Sequence, residues 1–251
     1  MMPEAKSSGR LAAFFDLDGT LVPEPSLERR FFSALRSSRS IPFSNYFRWG
    51  IEALRLLPKG LLAVQYNNKR YLNGVCSDLA FRHLESMVFF EEGIARVLWH
   101  ARQGHEIVLL SGTLDALALL AATALECELQ VHHALVRLRV YATPLAANRG
   151  RWTGYLAGEV LYGPAKTSAL ETFAKQEKID LRQCHAYGNS LLDRHLLCAV
   201  GHAHAVNPGR ELAALANEKN WPIWHWHREK QLAFKRDAFL PEEIQHIEGP
   251  A

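Results

Sequence analysis

Residues 12–26 read AAFFDLDGTLVPEPS: four apolar residues, then Asp16 and Asp18 one residue apart, then Gly19 and Thr20. A short run with no polar alternation, closed by a glycine turn, predicts a strand covered on both faces. Two like charges at the end of such a strand are costly to bury unless something cationic compensates them. A hard divalent cation meets that need. It also screens an aspartate that attacks an incoming phosphate dianion to form an aspartyl-phosphate. The second carboxyl, two positions on, suits protonation of a leaving alcohol and later deprotonation of water. Gly19 and Thr20 permit a tight turn whose amides are expected to face the anion. A bare strand-ending turn, for which Asp and Gly are common, is the competing explanation of the same residues.

Outward from this stretch the pattern repeats. HEIVLLSG (105–112), CHAYGNS (184–190) and HAHAVNP (202–208) each read as a strand ending in small or polar residues. Helical segments separate them: Ile94, Val97, Leu98 and Ala101 keep i, i+3, i+4, i+7 spacing, and 113–126 and 164–178 also read as helices. This alternation predicts an α/β fold, a doubly wound, Rossmann-like parallel sheet. Its ligands belong beyond the carboxyl ends of the strands, where Asp16, Ser111 and Asn189 fall. Two stretches break the alternation. Residues 22–88 show helices and no further clear strand, and are expected to form an inserted helical cap. LVRLRVYATPL followed by GRWTGYLAGEVLYG alternates with period two around Asn148-Arg149-Gly150, the signature of a β-hairpin excursion. The expected organisation is a core of 1–21 and 89–227, a cap of 22–88, and a C-terminal tail of 228–251 that is a peripheral helix or partly disordered. The opening MMPEAKSSGR has no apolar signal-peptide core and reads as a frayed terminus.

Composition sets the outer bounds. With 251 residues and 48% hydrophobic content the chain can build a large core, and 29 basic against 26 acidic residues give only +3. That balance excludes a dedicated nucleic-acid binder, so no nucleic-acid partner is expected. Cys76, Cys127, Cys184 and Cys198 form no CxxC pair, which favours a reducing compartment. The most apolar long window, IVLLSGTLDALALLAATAL, is broken by Ser-Gly-Thr and Asp115 and reads as strand, turn and buried helix rather than a membrane span. A soluble, cytoplasmic protein is expected; the oligomeric state is left open.

Taken in order, the motifs resemble the haloacid dehalogenase superfamily, specifically its phosphoserine-phosphatase-like branch (subfamily IB) with a helical cap. FFDLDGTLV is similar to the first motif, LLSGT to the second, GPAKTSAL to the third and YGNSLLD in part to the fourth. The likeness runs from about residue 11 to 226. It implies that Asp16 attacks phosphorus and ligates Mg²⁺. Asp18 would be general acid and base and would lend its main-chain carbonyl to the metal. Lys166 would offset charge on the nucleophile and the phosphoryl oxygens, and Ser111 would hydrogen-bond the phosphoryl group with Gly112, Thr113, Gly19 and Thr20 around it. An acid at position 18 separates this pattern from dehalogenases, which lack it, and from transport ATPases, which use DKTGT. The resemblance therefore implies a Mg²⁺-dependent phosphomonoesterase acting on a small or lipid-like phosphomonoester.

One position departs from the family pattern. Asn189 stands where an aspartate metal ligand is usual, leaving Asp193 as the acidic residue of that motif. An amide oxygen is a hard but neutral ligand, so Mg²⁺ is expected to bind less tightly unless Asp193 joins Asn189 at the ion. Two other readings stay open: a catalytically weakened phospholigand-binding or membrane-surface module, and a phosphotransferase.

The cap is expected to choose the substrate. Between Ser26 and Val75 nine Arg or Lys face two acids, Glu28 and Glu52, with eight aromatics interleaved. Either the aromatics pack inside an ordinary helical subdomain with solvated arginines, or the segment takes an anionic amphiphile and rests on an acidic membrane surface. Glu24 stands one position early for the acid that reads the amino group in phosphoserine phosphatases, and Pro25 occupies the expected place. Among twelve histidines, His202 with His204 and His225 with His227 have chelating spacing, but no third ligand is evident and structural roles are expected.

Overall fold

A computed structural model describes residues 10–84 and 86–233. In chain order the elements are β1 (Ala12–Phe15), α1 (Leu27–Ser37), α2 (Phe43–Leu56), α3 (Leu61–Asn67), α4 (Leu79–His83), β2 (Ser86–Phe90), α5 (Glu91–Arg102), β3 (Glu106–Leu114), α6 (Asp115–Val131), β4 (Arg139–Thr143), β5 (Leu145–Asn148), β6 (Arg151–Leu156), α7 (Pro164–Glu177), β7 (His185–Gly188), α8 (Arg194–Cys198), β8 (His202–Val206), α9 (Arg210–Glu218), β9 (Ile223–Trp224) and β10 (Glu229–Ala233).

The central sheet has the order β4-β3-β1-β7-β8-β9, and every pairing in it is parallel. The chain lays down β1, moves outward through β3 and β4, then returns to the other side of β1 for β7, β8 and β9. The order therefore reverses at β1, and a crevice opens above its carboxyl end. Lack of alternation in β1 has a direct cause: Ala13 and Phe15 enter one core with Ile107 and Leu109, while Ala12 and Phe14 enter the opposite core with Val108 and Leu110. Helices α5 and α6 cover the first face and α7, α8 and α9 the second.

Four boundaries differ from the expectation. β2 straddles the expected end of the cap, starting inside the stretch read as having no clear strand, and it pairs antiparallel with β10, which lies in the stretch read as a helical or disordered tail. The Phe90 N–H also donates to Leu21 O at 2.9 Å, so the points where the chain leaves and re-enters the core are bonded to each other. The hairpin is β5–β6, turning through Arg149 (φ 48°) and Gly150 (φ 71°) in the doubly positive geometry that suits a two-residue turn. The preceding segment 139–143 does not join it; it adds a sixth, parallel strand beside β3. Positions 113 and 114 extend β3, and the helix starts at Asp115. The opening nine residues and 234–251 lie outside the described residues.

The hairpin packs against the helical segment. Gly74 N–H donates to Trp152 O at 2.7 Å and Trp152 N–H to Val75 O at 2.9 Å. The Trp152 indole is buried edge-on to Phe31. Gly154, at φ 73°, lets the hairpin approach that segment: a Cβ there would lie 3.2 Å from Arg70 Cα.

Four histidines, His100, His105, His185 and His204, converge at the opposite, amino-terminal end of the sheet. His100 is fully buried, with Nδ1 2.8 Å from Nδ1 of His105 and Nε2 2.8 Å from the Tyr187 hydroxyl. Trp224 donates its indole N–H to His204 Nδ1, whose other nitrogen lies 3.3 Å from His185 Nδ1. Burial holds His100 down at about 2, His204 at about 3 and His185 at about 4, so the group is neutral at physiological pH. Of the pairs read from spacing, His204 is engaged by His185 and Trp224, and the His225 and His227 rings stack 6.2 Å apart.

Candidate active site

Asp16 follows β1 directly. Its N–H donates to Tyr187 O in β7 at 2.9 Å, which fixes the backbone at the switch point of the sheet. The chain then turns tightly: the Leu21 and Val22 amides both donate to Leu17 O at 2.9 Å, and Gly19 sits at φ 81°. A Cβ at Gly19 would fall 2.0 Å from Asn189 Nδ2, so only glycine lets the β7 loop lie against this turn. The turn corrects one expectation. The Gly19 and Thr20 amides donate internally, to Val22 O and Leu17 O, and do not face an anion. Thr20 contributes instead through its hydroxyl, which donates to Asp16 Oδ2 at 3.1 Å.

Lys166 arrives from the first turn of α7 and is buried. Its ammonium donates to Asp16 Oδ1 at 2.5 Å and to Asp193 Oδ1 at 2.7 Å. The other oxygen of Asp193 accepts from the N–H and hydroxyl of Ser190, at 3.1 and 3.0 Å. Both oxygens of Asp193 are thereby engaged, and it stands behind Lys166 rather than on the cavity wall. This departs from its expected place among the metal ligands.

The charges do not balance. Asp16 and Asp193 share one ammonium, and Asp18 beside them has none. Burial lifts Asp16 to about 6, with Asp193 adding to the shift and Lys166 opposing it. Burial also lifts Asp18 to about 7, against a hydrogen bond from the Leu27 amide at 2.8 Å and with help from Asp16, Glu24 and Glu28. For Lys166, burial disfavours the charge, but the two carboxylates outweigh it and raise the pKa. A hard divalent cation fits this excess of carboxylate. Asp16, Asp18 and the Asn189 side chain all line the same cavity and supply oxygen donors.

That cavity, about 770 Å³, is roofed by the helical segment. Ser111, Gly112, Thr113, Lys166 and Asn189 line its floor with the two aspartates. The Thr113 hydroxyl is buried and makes no hydrogen bond among the described residues, as suits an acceptor brought by a ligand. Ser111 Oγ accepts from the Thr113 N–H at 3.2 Å. Overhead lie Phe32, Trp49, Tyr66 and Tyr71, with Glu24, Glu28 and Arg29 at the rim. Tyr66 comes within 3.2 Å of the place where a Gly112 Cβ would sit, and it stacks on Tyr162 of the core at 4.6 Å between centroids. Glu28 is held by the buried Lys69 at 2.5 Å and by the Tyr71 hydroxyl at 3.1 Å.

Sequence motifs pointed to the floor but not to the roof. Ser190, Tyr66, Tyr162 and Asn68 carry no motif that marks them as site residues: Tyr66 lies on a seven-residue helix and the others in the connections beside helices, where sequence gives no signal of which way a side chain faces. Ser190 alone had a local cue, three positions before Asp193 as in a capping box.

Comparison with known proteins agrees with this geometry. The sequence model of the haloacid dehalogenase-like hydrolases matches residues 13–197. A Mycobacterium tuberculosis protein named phosphoserine phosphatase SerB1 is 30% identical over 84% of this chain and 70% of its own length. Among solved structures, a protein of unknown function from Bordetella pertussis Tohama I superposes with a TM-score of 0.65 at 20% identity, covering 86% of this chain and 99% of its own. A phospho-aspartyl intermediate analogue of phosphoserine phosphatase superposes with a TM-score of 0.57 at 18% identity, covering 88% and 95%. At these identities the superpositions speak for the fold.

Proposed function

The chain belongs to the haloacid dehalogenase-like hydrolases, in the capped, phosphoserine-phosphatase-like branch, and is a phosphoric monoester hydrolase; from that premise we propose that Asp16 is its nucleophile and that its substrate is a small or lipid-like phosphomonoester. The observation that carries the proposal is Asp16 itself: a carboxylate at the switch point of a parallel sheet, oriented by Lys166 and Thr20 on the floor of the cavity.

An Asp16 oxygen attacks phosphorus, the P–O bond to the alcohol breaks, and the Asp18 proton passes to the departing oxygen. Asp18, raised to about 7, holds that proton near neutral pH and then, ionised, takes one from the water that attacks the aspartyl-phosphate. Inorganic phosphate leaves and Asp16 is restored. Lys166 stays charged throughout and offsets the phosphoryl oxygens, and Asp193 acts by holding Lys166. Ser111 and Thr113 offer hydroxyls to the phosphoryl group. Asp16, Asp18 through its main-chain carbonyl, and Asn189 are the residues that would hold Mg²⁺, which supplies charge to draw the phosphate dianion onto a carboxylate. Residues 22–88 serve as the cap that excludes water.

Glu28 is neutralised by Lys69, so the roof offers Glu24 as the acid for a substrate ammonium, beside Arg29. Its aromatic walls favour an apolar substituent on the phosphoester over free phosphoserine. Phosphate release from a panel of phosphomonoesters in Mg²⁺ tests the reading. Asp16→Asn should lower turnover by about a thousandfold or more; turnover that survives the substitution would exclude Asp16 as nucleophile.

A further inference from the structure

Helix α2 is built inside out. Toward the protein it turns Asn45, whose amide donates to Tyr71 O and Asn73 O at 3.1 and 2.6 Å, together with Leu56. Toward solvent it turns Phe43 (89% exposed), Phe47 (73%) and Leu54 (72%), and Leu61 at the start of α3 is exposed as well (76%). At 100° per residue the three α2 side chains fall within a single 40° arc, so they form one ridge rather than scattered exposed residues. A soluble surface has no reason to hold three large apolar side chains open in line.

The charges beside the ridge identify what covers it. Arg48, Arg55 and Lys59 flank it, all exposed. The acid nearest the ridge on α2, Glu52, is turned partly inward, 3.6 Å from Arg55. A second copy laid face to face would bring these cations together, which disfavours self-association. An anionic bilayer satisfies both parts, the apolar ridge entering the acyl boundary and the cations resting among phosphates.

The same helix borders the cavity. Trp49, Gly50 and Ala53 line it, on the arc of α2 adjoining the exposed ridge. We propose that α2 docks the protein on anionic membranes and sets the mouth of the cavity at the lipid surface, so that the substrate is a phosphomonoester whose apolar chain comes from the bilayer. The substrate half of this inference rests on the phosphatase reading above; the docking half does not.

Co-sedimentation of the full chain with vesicles tests it, using phosphatidylcholine alone and an equal mixture with phosphatidylglycerol. Binding is expected to the mixed vesicles only, and to weaken with salt. Phe47→Ser with Leu54→Ser should reduce it roughly tenfold or more, and Arg48→Gln with Arg55→Gln should erase the preference for the anionic lipid. Neither pair lines the cavity, so both variants should hydrolyse water-soluble p-nitrophenyl phosphate like the parent, while losing hydrolysis of phosphatidic acid presented in mixed vesicles. Absence of vesicle binding, equal binding to both vesicle types, or a dimer that the serine variant dissociates would overturn the docking. A chain that binds vesicles but cleaves neither ester would sink the phosphatase reading and leave the docking standing. One that cleaves the soluble ester without binding vesicles would do the reverse.

Discussion

Lys166 is one ammonium serving two carboxylates, and Asp18 has none of its own. Without a divalent ion, Asp16 and Asp18 are therefore held toward their protonated forms, at about 6 and 7 against an ordinary 3.8. Carboxyls whose folded pKa is raised stabilise the fold fully below the unfolded value, and that contribution is lost as pH rises through the folded value. Metal-free protein should thus lose thermal stability between about pH 4 and 7 on their account. Asp18→Asn should flatten the part of that loss seen above pH 6.5, where the buried imidazoles no longer titrate; differential scanning calorimetry in chelator reads it. Asn189 leads to a second expectation. Restoring a charged oxygen with Asn189→Asp should lower the Mg²⁺ concentration for half-maximal turnover by roughly tenfold, measured by titrating the metal at saturating substrate. An unchanged Mg²⁺ requirement would place position 189 outside the ion's ligands.

Among the elements, the β5–β6 turn contains a testable weakness. Arg149 holds φ 48°, a conformation that costs an ordinary L-residue about 1 kcal/mol and Asn much less. Arg149→Asn should stabilise the protein by about 0.5–1 kcal/mol, read as a shifted denaturant midpoint with unchanged slope. This hairpin was legible because Asn148-Arg149-Gly150 interrupts a period-two pattern. Its neighbour β4 has the same period and was folded into it on sequence alone: alternation says that a segment is a strand, not which strand it joins. β1 and β3 could be read from their unbroken apolar runs, since burial on both faces removes alternation, and β7 and β8 from short runs that end in small or polar residues. β2 and β10 could not, because each is completed by a partner from the other end of the chain, and EKQLA looks polar until SMVFF is beside it.

At the scale of the whole molecule, the order of the sheet explains why the floor of the site could be read and its roof could not. Asp16 and Asn189 follow, and Ser111 lies in the carboxyl-terminal half of, a strand that can be recognised locally, and a parallel sheet aligns such ends by construction. Lys166 enters from the start of a helix, where its motif marked it, but its shared grip on Asp193 depends on packing. The roof depends on how short helices rotate. Nine cations and eight aromatics between Ser26 and Val75 announced an unusual surface without saying that Phe47 faces out and Trp49 toward the cavity.

The pairing of β10 with β2 reaches beyond the sheet it makes. The chain enters the roof at Leu21 and leaves it at Phe90, and one amide knots these two crossings together. β10 splints the second crossing along its whole length, and Glu91 N–H is tied to Arg228 O at 2.7 Å just beyond it. How freely the roof swings is consequently governed from a stretch of polypeptide that touches neither ester nor ion, and trimming that stretch would slacken the hinge rather than shorten an idle end.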